Sequence, residues 1–298
     1  RKIKVLNLFA YTGGATVACL KSGASVVHVD SSRGMVDWAK ENVEASGLKD
    51  RPIRYIVDDV VKFVKREIRR GNKYDVIIMD PPSYGRGANG EVWDIEKDLD
   101  NLVKLCKEVL SEQPLFFLIN SYTAGLSCEV LTNLYKSILS EGKKVILAGD
   151  SSGGGLCLAL CQSFEKSGIL QPEKVITLAP WVDVTMSNPE ITKIERVDPK
   201  LNSNVARVLG EFWANGQDLK DYKISPLYGD FKGLNNVYIF IGTRDILYPD
   251  NLLLYNKLQK EGVNAYLTVG TNLNHVYPVY PTVEGKKAIE QISKIISS

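Results

Sequence analysis

In Gly149-Asp150-Ser151-Ser152-Gly153 a serine stands between glycines. The apolar run Val145–Ala148 enters this stretch, and the Ala/Leu-rich segment after Gly155 leaves it as a helix. G-x-S-x-G at a strand-to-helix reversal is a nucleophile elbow: the turn is so tight that glycines must flank the serine, which is lifted above the sheet edge. Such a serine needs a base and a group to orient that base, and the chain has only two histidines. His275 follows the predicted strand Ala265–Val269, and Asp245 follows the predicted strand Val237–Ile241. Ser151, Asp245 and His275 thus each follow a strand, in the order Ser, Asp, His. The other histidine, His28, lies inside a predicted strand and reads as a packed core residue.

A second set of candidate residues precedes the elbow. Strand 3–9 turns through Ala10-Tyr11-Thr12-Gly13-Gly14 into a helix, where glycines let backbone N–H groups approach a carboxylate or phosphate. Any tight strand-to-helix turn also favours glycine. Strand Ser25–Val29 ends in Asp30, with Ser31 next to it; a carboxylate there can accept from both hydroxyls of a ribose, or cap helix 34–46. Strand Ile53–Val57 ends in Asp58-Asp59, and strand Tyr74–Met79 in Asp80-Pro81-Pro82. Four consecutive strands carry a glycine-rich or acidic tip on one edge, which favours a small-molecule site.

These tips carry a family resemblance. Val-Leu-Asn-Leu-Phe-Ala-Tyr-Thr-Gly-Gly, Val-His-Val-Asp, Val-Asp-Asp-Val-Val-Lys-Phe and Met-Asp-Pro-Pro-Ser-Tyr-Gly-Arg-Gly resemble class I S-adenosylmethionine-dependent methyltransferases of the ribosomal RNA group, over residues 3–127. The resemblance implies S-adenosylmethionine as cofactor. The Ala10–Gly14 turn would hold its methionine moiety, Asp30 its ribose, Asp59 with Asp58 nearby its adenine amino group, and Asp80-Pro81-Pro82 the edge near the transferred methyl, with Ser31 a further cofactor-binding residue. The cytosine-5 enzymes of this kind place a cysteine after the fifth strand, whereas Leu115–Asn120 is followed by Ser121-Tyr122-Thr123. An RNA-binding segment expected ahead of the catalytic domain is not seen, so RNA enters as a partner by resemblance alone.

The other half is similar to the hormone-sensitive-lipase group of α/β-hydrolases. The matching residues are Gly149-Asp150-Ser151-Ser152-Gly153-Gly154, Gly242-Thr243-Arg244-Asp245-Ile246-Leu247 and Asn274-His275-Val276-Tyr277-Pro278. The resemblance implies Ser151 as nucleophile, His275 as general base and then acid, and Asp245 as the residue orienting the imidazole. The His-Gly-Gly-type loop that supplies half of the oxyanion hole in this group does not occur upstream of the elbow.

The elements that must position these residues read as an α/β chain. We expect one extended, mostly parallel, doubly wound sheet: five methyltransferase strands in the order 3-2-1-4-5, continued by four hydrolase strands. The expected halves are 1–128 and 129–298, with a polar insert at 184–223. A helix over Ser127–Leu139, capped by Ser127 with Glu129 in its first turn, would join them through the stripe Val130, Leu131, Leu134 and Ile138. Joining two incomplete architectures in this way suggests a recombinant, engineered chimera.

Composition sets the remaining bounds. A net charge of +2 with scattered Lys and Arg is too weak to argue for nucleic acid. Five cysteines without metal-ligand spacing read as free thiols, and no metal site is expected. No signal peptide or run of about 18 apolar residues occurs, so a cytoplasmic protein without a membrane partner is expected. The first residue is Arg rather than Met, and upstream sequence is expected to have been removed.

Overall fold

A computed structural model of the chain describes residues 2–87, 90–122, 128–139 and 144–298. It divides into two compact units, Arg1–Ser127 and Cys128–Ser298.

The first unit runs β1 (Lys4–Leu8), α1 (Gly14–Lys21), β2 (Ser25–Asp30), α2 (Arg33–Ala45), β3 (Ile53–Val57), α3 (Val60–Arg69) and β4 (Val76–Met79). A short antiparallel hairpin follows, β5 (Tyr84–Arg86) and β6 (Val92–Asp94), then α4 (Ile95–Glu108) and β7 (Phe116–Ile119). Its five-stranded sheet has the order β3-β2-β1-β4-β7, and every neighbouring pair is parallel. Central strands of a parallel sheet are covered on both faces, which is why β1, β2 and β4 read as nearly unbroken apolar runs. Helix α3 was not anticipated. Asp59 caps it by accepting from the Lys62 N–H at 2.8 Å, and Val60, Phe63 and Val64 bury one face.

The second unit runs α5 (Cys128–Leu139), β8 (Ile146–Asp150), α6 (Ser152–Lys166), β9 (Lys174–Leu178), α7 (Ile191–Glu195) and α8 (Ser203–Ala214). It continues through β10 (Asn236–Gly242), α9 (Tyr248–Lys260), β11 (Asn264–Gly270) and α10 (Val283–Ser297). The parallel order is β11-β10-β9-β8. Alternation along β10 splits the core. Val237 and Ile239 pack with Leu158, Leu254 and Leu258 of α6 and α9, while Phe240 packs with Tyr277, Ala288 and Ile292 toward α10.

The α/β class and the first five-strand order are as expected, but the single continuous sheet is not: each unit forms its own. Helix α5 packs within the second unit: its Leu131 and Tyr135, one helical turn apart, cluster with Leu160 and Phe164 of α6. Tyr135 stacks on Phe164 with ring centroids 4.2 Å apart, so the apolar side of α5 is used inside the second unit. Leu134 is buried, whereas Val130 and Ile138 are half-buried. The expected cap Ser127, the side chain of Glu129 and the segment 123–127 lie outside the described residues.

Candidate active and cofactor sites

At the elbow the chain leaves β8 and enters α6 through Ser151, with φ +52° and ψ −121°. This left-handed backbone costs a residue with a Cβ about 1–3 kcal/mol and must be held from outside. The Ser151 N–H donates to Leu178 O at 2.9 Å, and its carbonyl accepts from the Trp181 N–H at 2.9 Å, both from the end of β9. Gly149 is fixed by space alone, since a Cβ there would lie 2.3 Å from Gly153 O.

Asp245 and His275 come from the same sheet edge, after β10 and β11. Asp245 is wholly buried, and its Oδ2 faces His275 Nδ1 at 2.7 Å; the His275 side chain retains 11% exposure. The other carboxylate oxygen accepts from the Leu247 N–H at 2.9 Å. With both oxygens engaged, Asp245 favours the imidazole tautomer that carries its proton on Nδ1 and leaves a free lone pair on Nε2. The Pro180-Trp181 turn ties elbow to acid loop: Trp181 holds Ser151, and Pro180 O accepts from Asn251 Nδ2 at 3.0 Å, on the first turn of α9. This arrangement suits acyl transfer through a serine ester.

The strand tips of the first unit converge in the same way. Asp30, buried at the end of β2, accepts the Tyr11 N–H on Oδ2 at 3.0 Å and the Ser32 N–H on Oδ1 at 2.9 Å. Each oxygen so bonded keeps a lone pair for a sugar hydroxyl. Ser31 lies between Asp30 and the Ser32 cap of α2, whose hydroxyl accepts from the Met35 N–H. Gly13, the N-cap of α1, has φ +85° and contributes no side-chain cap; a Cβ added at Gly14 would meet nothing within 4 Å. The start of α1 is therefore open to a carboxylate. Ala10 is buried, its N–H donating to Val29 O at 3.1 Å, and Thr12 O accepts from Asn42 Nδ2 at 2.8 Å. These features fit an adenosyl amino acid.

Asp58 pairs with Arg66 and accepts the Asp59 N–H, while Asp59 caps α3. Asp80 Oδ1 accepts from Asn120 Nδ2 at 2.6 Å, Pro81 is buried, and Pro82 O accepts from Trp93 Nε1 at 2.8 Å. Tyr11 and Tyr122 meet through their hydroxyls at 3.1 Å. Burial, followed by that hydrogen bond, pushes the Tyr11 phenol up. His28 is a core residue: its Nδ1 lies 2.9 Å from Thr16 Oγ1, and burial lowers it to about 4.

Three polar residues of the second unit lie outside the sequence-based set. Asp183 is buried and accepts from the Tyr228 hydroxyl at 2.8 Å. Asp250 is buried in α9, and Asp198 bonds the acid loop from the insert. Asp183 had a local signal in following Pro180-Trp181-Val182 and Asp250 in opening a predicted helix, whereas Asp198 carried none in the sequence. Among the described residues no group of three His, Cys, Asp or Glu could hold a metal ion, four cysteines are free, and no helix could cross a membrane.

A parallel sheet whose strand-to-helix serine shares an edge with a buried Asp–His pair is the architecture of α/β-hydrolases. The family model described as alpha/beta hydrolase fold matches residues 123–279, and the chain belongs to that family. A model described as S-adenosylmethionine-dependent methyltransferase matches residues 1–127, so a methyltransferase domain precedes the hydrolase domain. The chain is 35% identical over 119 residues to ribosomal RNA large subunit methyltransferase K/L of Syntrophotalea carbinolica, covering 39% of this chain and 16% of that protein. It is 29% identical over 161 residues to an acetyl-hydrolase of Streptomyces hygroscopicus, covering 52% of this chain and 54% of that protein. A crystal structure of a hormone-sensitive-lipase homologue from a metagenome library aligns with TM-score 0.58 at 26% identity, over 61% of this chain and 66% of that one. The chain thus spans about a sixth of that methyltransferase and about half of that acetyl-hydrolase.

Proposed function

We propose that the second unit is a slow carboxylester hydrolase acting on small acyl esters. The observation carrying this reading is the 2.7 Å bond from His275 Nδ1 to buried Asp245, on the same sheet edge as the strained Ser151. Ser151 Oγ attacks the ester carbonyl while His275 Nε2 takes its proton; the imidazolium returns that proton to the departing alcohol, leaving an acyl-serine that water hydrolyses by the same base. The Ser152 N–H is one donor for the developing oxyanion. No His-Gly-Gly-type loop supplies the other, and losing one donor costs about 10²–10³ in kcat. A fluorophosphonate probe, which needs mainly an activated serine, should label Ser151, with labelling lost in Ser151→Ala and strongly reduced in His275→Ala. Hydrolysis of p-nitrophenyl acetate should stay at least ~10²-fold below an ordinary esterase. An unlabelled Ser151 would refute the reading.

A second reading concerns the first unit, favoured by the Asp30 carboxylate beside the open start of α1. It binds S-adenosylmethionine through Ala10–Gly14, Asp30, Ser31, Asp58, Asp59 and Asp80-Pro81-Pro82, with little or no methyl transfer. When bound, the cofactor supplies an electrophilic methyl on a sulfonium; the chain's own residues hold the ribose hydroxyls and the amino-acid carboxylate. RNA as acceptor rests on the names of relatives alone. The two family matches meet at residues 123–127, which supports reading the chain as an engineered or recombinant chimera. A cytoplasmic location accompanies that reading.

A further inference from the structure

The insert between β9 and β10 reaches the acid of the triad. After α7, Val197 and Asp198 lie against the loop 244–247. Val197 O accepts from Arg244 Nε at 2.9 Å, and Asp198 Oδ2 accepts from the Ile246 N–H at 2.9 Å. These two bonds bracket Asp245, one residue on either side. Asp198 is itself fixed, because its Oδ1 accepts from the N–H groups of Lys200 at 2.8 Å and Leu201 at 3.0 Å. The other side of the loop is held by the segment that carries His275: Arg244 N donates to Leu273 O at 2.9 Å, and Thr243 N to Gly270 O at 3.0 Å. Packing follows the same division, with Ile246 and Leu247 buried in a cluster that includes Ile191 and Leu201 of the insert.

We infer that Asp198 is a positioning residue for the triad, clamping the acid loop from the insert so that Asp245 stays on His275 Nδ1. The loop that carries Asp245 is irregular, so most of its backbone donors have no strand partner and must find acceptors elsewhere. Without Asp198 the Ile246 N–H loses its acceptor, and a buried donor left unpaired drives the loop to rearrange. A displacement near 1 Å at a catalytic group is enough to cost about a hundredfold in rate. Asp198 bonds Ile246 rather than His275, so its action passes through the loop. This rests on the hydrolase reading only for its effect on rate; the Asp245–His275 bond can be observed without turnover.

The test uses full-length protein labelled with ¹⁵N-histidine. With two histidines in the chain, the His275 Nδ1–H resonance is assigned by its loss in His275→Ala. In the parent protein it should lie far downfield, as a proton held between imidazole and carboxylate does. Asp198→Ala should move it upfield or broaden it away, and should lower the fluorophosphonate labelling rate at least tenfold while the second unit still unfolds in one cooperative transition. Asp198→Asn keeps the shape but has only one acceptor oxygen for two sets of donors, so it should fall between parent and Asp198→Ala. Arg244→Met removes the Val197 bond alone; it guards against general unfolding of the Asp198 variants and should weaken the resonance without abolishing it. An unchanged resonance and labelling rate in Asp198→Ala would overturn the clamp. A parent protein with the downfield resonance but no labelling would overturn the hydrolase reading and leave the clamp to be judged by the resonance. A parent protein lacking the resonance would overturn the clamp, since there would be no pair to hold.

Discussion

Replacing Asp250 with asparagine should make the second unit more stable at neutral pH and not at acid pH. Asp250 lies in the first turn of α9 and is 1% exposed. Its Oδ1 accepts from Asn188 Nδ2 at 2.8 Å, while Oδ2 has no hydrogen-bond partner. Burial pushes the carboxyl up to about 6; the Asn188 bond opposes that rise, and the nearby Asp183 charge adds to it. An unfolded Asp titrates near ~3.9, so the folded unit holds the proton about two pH units more tightly, or ~3 kcal/mol. Because the folded value is the raised one, this stabilisation is complete below about pH 4 and is lost as the pH rises through 6. The side-chain amide in Asp250→Asn would keep an oxygen for Asn188 and carry no charge at any pH. The variant should therefore gain ~2–3 kcal/mol on the parent between about pH 4 and pH 7.5. Urea unfolding followed by tryptophan fluorescence measures it, in a background with Trp38 and Trp93 changed to Phe so that Trp181 and Trp213 report the second unit. A difference that is the same at both pH values would refute the desolvation argument. A variant less stable at both would mean that the charge itself is needed as an acceptor.

Asp30→Ala should weaken S-adenosylhomocysteine binding at least tenfold, ~1.4 kcal/mol, in calorimetric titration; unchanged affinity would remove Asp30 from the site. Phe164→Ala deletes a fully buried ring stacked on Tyr135, and should cost ~3–5 kcal/mol in the urea unfolding of the second unit. A loss under ~1 kcal/mol would show that α5 is not docked there. Gly149→Ala drives a methyl to 2.3 Å from Gly153 O, so it should abolish fluorophosphonate labelling; parent-level labelling would contradict the elbow geometry.

Much of the fold could be read from local signals. Strands β1 to β4 announce themselves as apolar runs ending in glycine or acid, and the order of Ser151, Asp245 and His275 along three strand ends is visible in the chain. Helix α3 carried its own signal, Asp59 followed by apolar residues at 60, 63 and 64, but the acidic pair was read only as a ligand group. Its carboxylates also serve the protein, Asp59 as a cap and Asp58 as the partner of Arg66. The docking of α5 was not legible, because the use of Tyr135 rather than a symmetrical apolar stripe depends on the ring of Phe164 on α6. Asp198 and Asp250 were missed for a similar reason. Their importance comes from which backbone groups or amides they meet, Ile246 and Asn188, across distances of 48 and 62 residues.

The left-handed backbone at Ser151 also bears on how this chain would evolve. Glycine adopts φ +52° freely, whereas a serine there is strained whatever its side chain does. On the hydrolase reading, Ser151→Gly would therefore relieve the turn at the cost of the proposed nucleophile alone. Selection for a sturdier protein and selection for a hydrolytic one pull in opposite directions at this single codon. In a lineage released from catalysis, position 151 is where drift toward glycine would be rewarded first, before Asp245, which is wholly buried and holds both His275 and the Leu247 N–H.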